Sequence, residues 1–108
     1  MALPKYLWKA SYTTAGVKGV AAEGGSSRRE SVGRALGSVG GTLEAFYFAF
    51  GDADVYAIAD LPDNEAATAM ALAINGSGAV TVETIPLLTP EEVDAASKKS
   101  VEYRAAGG

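Results

Sequence analysis

Whatever chemistry this chain performs must rest on lysine, aspartate, glutamate, tyrosine, serine or arginine, or on the substrate itself, because its 108 residues include no histidine and no cysteine. That removes the Ser-His-Asp triad, the imidazole base, the thiolate nucleophile, the iron–sulfur cluster and the usual structural zinc site. The most suggestive spacing is Gly51-Asp52-Ala53-Asp54, set between two runs of aromatic and aliphatic residues. Carboxylates two residues apart can bind a hard cation or a basic ligand group. Asp and Gly are also what hairpin turns select, with the Asp side chain accepting from nearby backbone N–H groups. We read the segment as a turn first and as the rim of a site second. The acidic residues nowhere follow calcium-loop spacing.

Lys9 lies in a stretch where Tyr6, Trp8, Ala10 and Tyr12 alternate with Lys5, Leu7, Lys9 and Ser11, the period-two pattern of a strand. It therefore projects on the face opposite Trp8. A half-buried lysine there needs a carboxylate, and Glu83 on the neighbouring strand is the expected partner. Desolvated, such a lysine can act as a base or Schiff-base former; ion-paired, it is a snorkelling structural cation. Tyr12, Tyr47 and Tyr56 offer hydroxyls that could orient a ligand, or serve as core bodies with wet tips. Arg28 and Arg29, at the start of a helix, offer an anion site or a solvated first turn. Lys9, Tyr12, Asp54 and Tyr56 are the candidate ligand-binding residues. The run GVKGVAAEGG fits no phosphate-binding loop, and we expect neither a cofactor nor a metal.

Lys5–Tyr12 is the first strand. Thr13 or Thr14 caps a weak helix that Gly24-Gly25 ends or breaks. Ser27 and Glu30 fit a capping box ahead of Val32, Ala35, Leu36 and Val39, with a stop at Gly40-Gly41. The span from Thr14 to Val39 is one broken helix or two short ones. Thr42–Phe50 and Asp54–Asp60 read as strands joined by a two- or three-residue turn. Asp63 caps a helix through Asn75, presenting Ala67, Met70, Ala71 and Ile74, with Gly76 as its stop. Ala79–Leu88 is a strand whose Pro86 asks for an edge. Thr89-Pro90-Glu91-Glu92 opens a last helix to about Ser100.

The order β-α-β-β-α-β plus a C-terminal helix is the split βαβ pattern of ferredoxin-like folds. Right-handed crossovers then give an α+β fold: a four-stranded antiparallel sheet of order 4-1-3-2 with both main helices on one face. One domain spans residues 1–100, followed by a tail over 101–108. The strands are apolar on both faces. The second strand sets Phe46, Phe48 and Phe50 against Leu43, Ala45, Tyr47 and Ala49; the third sets Tyr56 and Ile58 against Val55, Ala57 and Ala59. Two helices cannot bury both sets. An uncovered apolar patch of more than a few hundred Å² marks an interface. Either the C-terminal helix folds over it, or a second copy does; we expect the second copy, in a two-fold dimer. A barrel interior filled by Phe46, Phe48 and Tyr56 would leave no room for a substrate.

Net charge is −4 with no block of like charges, which speaks against nucleic acid and anionic membranes as partners. No run of 18 apolar residues and no leader-like start are present, so we expect a cytoplasmic protein.

At PKYLWKASYTTAGVKG, RRE, GGTLEAFYFAFGDADVYAIADLPD and LLTPEEV the chain resembles the GYD-domain proteins of the dimeric α/β-barrel superfamily. The motif that names them falls on Gly51 to Asp54; Asp54 matches its aspartate, and Ala53 stands where an aromatic is usual. The resemblance implies the ferredoxin-like fold and the dimer and leaves activity open. Three classes follow: a binding module for a small molecule or partner protein; a cofactor-independent enzyme in the manner of barrel monooxygenases and isomerases, with Lys9, Tyr12 and Asp54 as its polar groups; or an assembly protein joining copies through its tail or its alanine-rich helix.

Overall fold

Alternating side chains need a layer on each side, and the sheet obtains only one from its own chain. The computed structural model describes residues 3–108; Met1 and Ala2, which begin the stretch read as carrying no leader, lie outside it. The elements are β1 (Lys5–Tyr12), α1 (Thr14–Glu23), α2 (Gly25–Ser38), β2 (Thr42–Phe48), β3 (Val55–Asp60), α3 (Asn64–Gly76), β4 (Val80–Leu87) and α4 (Pro90–Ser97). The four strands order as β2-β3-β1-β4, all neighbours antiparallel. This is the expected α+β topology, and Pro86 lies on an edge strand as the missing N–H requires.

The core sits between the sheet and the helices. Tyr6, Trp8, Val55, Ala57 and Ala59 rise from β1 and β3, and Leu36, Ala67 and Met70 descend from α2 and α3; all are buried. Leu36 and Leu61 are fully enclosed. Two polar tips on this face find partners: Trp8 Nε1 donates to Thr84 Oγ1 at 2.9 Å and Tyr6 Oη donates to Asn64 Oδ1. α2 packs on β2, α3 on β4 and the start of α1 on β1. At Gly16, an added Cβ would stand 2.0 Å from the Ala79 carbonyl oxygen, so this turn of α1 can press against the chain entering β4 only with hydrogen as its side chain.

Of the two alternatives for the span from Thr14 to Val39, the chain takes two helices: α1 and α2 are separate, broken at Gly24 with φ +88°. Several other local readings change. α2 begins at Gly25 rather than at Ser27, so the Ser27–Glu30 capping box does not form; the positive φ of Gly24 turns the chain three residues earlier, and Gly24 itself becomes the N-cap. α3 takes in Gly76, and the positive-φ glycine is Gly78. α4 ends at Ser97. The hairpin is longer than expected: β2 stops at Phe48 and β3 starts at Val55, with Ala49 N donating to Asp54 O at 2.8 Å to close a loop over Phe50–Ala53.

The largest correction concerns faces. A bulge between Leu43 and Ala45 shifts the register, so Leu43 pairs with Ala59, Ala45 with Ile58, Phe46 with Ala57 and Tyr47 with Tyr56. One extra residue reverses the alternation, which moves Leu43 onto the helix face with Phe46 and Phe48. Tyr56 lies on the opposite face with Ala45 and Tyr47. Phe46 and Phe48 therefore do not fill the open side.

That side carries Leu7, Ile58, Ile85 and Leu87, half-buried, and Tyr47, 70% exposed. α4 does not cover it: every residue from Pro90 to Gly108 is exposed. No helix of the described residues is long and apolar enough to cross a membrane.

Candidate functional site

β1 places two lysines two strand repeats apart on the open face, with Leu7 between them, and each meets carboxylates. Lys9 pairs across the sheet with Tyr56 on one side and Glu83 on the other. Its Nζ bonds Asp52 Oδ2 at 3.0 Å, reaching the hairpin loop rather than the expected Glu83. Asp52 wins because the loop bends over the end of the sheet and presents its carboxylate at hydrogen-bond distance, whereas Glu83 acts from its cross-strand position through charge. The hydrogen bond to Asp52, that carboxylate's charge, and Tyr56 and Glu83 beyond it hold the Lys9 ammonium above its ordinary pKa. This favours the charged form and disfavours Lys9 as a neutral base or amine nucleophile.

Around this pair lies a cleft of about 240 Å³ lined by Lys9, Ser11, Asp52, Ala53, Thr81, Val82 and Glu83. Its polar groups are an ammonium, two carboxylates and two hydroxyls, gathered from β1, β4 and the hairpin. Tyr56 stands beside Lys9, so the structure brings together two of the four residues singled out in the sequence.

The other two belong to the frame. Asp54 Oδ2 accepts from the backbone N–H of Tyr12 at 2.8 Å, while its own N–H donates to Ala10 O at 2.8 Å. The carboxylate thus extends the β1–β3 ladder past its last residue pair and staples the hairpin to β1. The two aspartates of the Gly-Asp-Ala-Asp segment divide the roles that sequence alone left open: Asp54 makes the turn, Asp52 faces the cleft, and Ala53 between them is buried. Tyr12 lies on the helix face, where it lines a narrow apolar cavity of about 50 Å³ with Trp8, Arg28, Val32, Phe46 and Ile74.

Sequence reasoning missed the second lysine. Lys5 Nζ bonds Asp60 Oδ1 at 2.9 Å and Glu44 Oε1 at 3.0 Å, and hydrogen bonds to both hold its pKa up, Asp60 contributing most. Lys5 and Lys9, four apart, share a strand face, and that signal was present. What was hidden is Glu44, which reaches Lys5 because it occupies the bulge. A groove of about 700 Å³ opens at this end, lined by Lys5, Asp60, Thr42, Leu3, Pro4 and the first turn of α4 through Thr89 and Glu92. Among the described residues no group of three or more acidic side chains is placed to hold a metal ion.

No curated protein and no solved structure matches this chain. The family whose sequence model matches is described as the GYD domain, over residues 6–97, from β1 to the last residue of α4.

Proposed function

This chain belongs to the GYD-domain family, and from that premise we propose that it is a small cytoplasmic two-fold dimer that binds a small molecule between its paired open sheet faces. One observation carries the reading: an apolar sheet face that its own chain leaves uncovered, with Lys9 and Tyr56 set side by side at its polar end. Half-exposed Leu7, Ile58 and Ile85 beside Tyr47 make a surface that water destabilises, and a second copy of the same face is the simplest cover.

The ligand this arrangement suits has an apolar body and one anionic or polar end. Lys9 and Tyr56 would supply the donors, with Ser11 and Thr81 at the rim. Asp52 is 85% exposed, so its hold on Lys9 can be exchanged for a ligand group at small cost. Tyr12 and Asp54 would act from behind, fixing the loop that bounds the pocket. An enzyme in the same pocket would need its base elsewhere, because Lys9 is held as an ammonium.

The test is native mass spectrometry of the protein purified gently from its host. A dimer carrying a reproducible extra mass, lost from Lys9→Met and Tyr56→Phe, supports the reading. A monomer refutes the paired faces, and an extra mass that both variants retain refutes the site.

A further inference from the structure

Two exposed apolar patches lie at opposite corners of the sheet, and α4 cannot bridge them within one chain. The first is the arm after β4, where Leu88, Val93, Val101 and Tyr103 are all exposed. The second is the end of the β2–β3 hairpin, where Tyr47, Phe48 and Phe50 are exposed.

The arm is well specified for something with no cover. Thr89 Oγ1 accepts from Glu92 N at 3.1 Å, Glu92 Oε1 accepts from Thr89 N at 3.0 Å, and Pro90 opens the helix. Yet α4 has eight residues, all exposed, and a helix that short is marginal in water without a surface to pack on.

Register shows why that surface is not its own hairpin. Leu87, Lys5, Asp60 and Thr42 follow one another across one end of the sheet, so α4 leaves that end from the β4 edge. Phe48 pairs with Val55 at the other end, on the β2 edge. These corners are diagonal, roughly 22 Å apart from strand spacing and rise. The link Leu88-Thr89 spans about 7 Å and an eight-residue helix about 12 Å, so α4 falls short.

The two patches are complementary. α4 carries Glu91, Glu92 and Asp94 and no basic residue. Beside Phe48 lies a cleft of about 310 Å³ lined by Gly25, Ser26, Arg29, Phe46 and Phe48; the two phenylalanine rings meet edge-on at 5.4 Å to form its floor, and Arg29 is its one charged group.

We propose that α4 of each copy docks in this cleft of the other, Val93 against Phe46 and Phe48 and Asp94 against Arg29, so that two arms embrace the dimer. The inference rests on the paired open faces proposed above and adds a second, separable contact. A two-fold axis lying between stacked faces and perpendicular to the line joining the two corners carries one corner onto the other, and α4, leaving there, passes the partner's β2 edge to reach the cleft on its helix side, so both arm contacts form together.

Charge reversal tests it. Arg29→Glu and Asp94→Lys each weaken dimerisation by about fivefold or more in sedimentation velocity, since two attractive pairs become repulsive. An equimolar mixture of the two variants regains wild-type affinity, because the heterodimer restores opposite charges at both contacts. Both side chains are at the surface, so thermal unfolding should show the variants folded. If the wild type is a dimer and the variants match it, or if mixing restores nothing, the arm inference is overturned and the paired faces stand. If the wild type is a monomer, both fall.

Discussion

Trp8 and Lys9 are neighbours in one strand and live in different environments. Trp8 is 2% exposed, enclosed by α2, α3 and its strand neighbours, with its indole N–H bonded to Thr84. Lys9 looks out from a face of comparable apolar content with no layer above it. The same strands therefore build a finished core on one side and an unfinished one on the other. Apolar alternation sets what a face wants, and the supply of covering elements decides whether the chain can provide it. Here the helices are spent on one face, and the last helix goes elsewhere.

The contrast predicts two kinds of mutational consequence, folding on the helix side and association on the open side. The largest effect belongs to the closed face. Trp8→Ala should cost about 3–5 kcal/mol, read as a large fall in the urea midpoint, and should leave any dimer contact untouched by direct action; a loss below about 1 kcal/mol would show that the helix side is not the packed one. Next comes Ile58→Lys on the open face. Placing two unpaired charges in a sheet-to-sheet interface should raise the dimer dissociation constant roughly a hundredfold or more, with the unfolding midpoint of the isolated chain nearly unchanged. If dimerisation survives, the open face is not the interface.

Asp54→Ala tests the seam between the faces. It removes the acceptor for the Tyr12 N–H, and leaving that group without its partner should cost about 1–3 kcal/mol in denaturant melts; an unchanged midpoint would mean the staple does not hold the hairpin. The smallest effect is at Lys9. Its folded-state pKa is raised above the ordinary 10.5 by Asp52. The sign follows: the ammonium's contribution to stability is fully present below 10.5 and is lost as pH rises through the higher folded value. Wild type should thus lose a little stability in alkaline denaturation series from about pH 10 upward, and Lys9→Met should flatten that part of the profile. An equal slope in both proteins would count against the ion pair.

Much of this was legible in residue types and spacing. The alternation in Lys5–Tyr12 identified a strand and put Lys9 opposite Trp8. The capping boxes and caps at Asp63 and Thr89 marked α3 and α4, because a cap is a bond between residues three apart and needs nothing distant. The reading failed where one residue depended on remote neighbours. Nothing local says that Glu44 bulges, and that bulge reassigned Leu43 and gave Lys5 its second carboxylate. The Ser27–Glu30 box was a sound local signal, overridden by the reversal at Gly24 that turns α1 into α2.

The candidate site divides in the same way. Sequence by itself determined the chemistry open to this protein: with no histidine and no cysteine, lysine, arginine, carboxylates and hydroxyls were left, and two-sided apolar strands announced a face in need of a cover. Tertiary structure alone decided that Asp52 and not Glu83 bonds Lys9, that Asp54 serves the backbone of Tyr12, and that α4 leaves the open face bare. Local pattern is set by interactions a few residues apart along the chain, whereas partners for a charge or a face are set by loops and registers that bring residues 40 or more apart to within 3 Å.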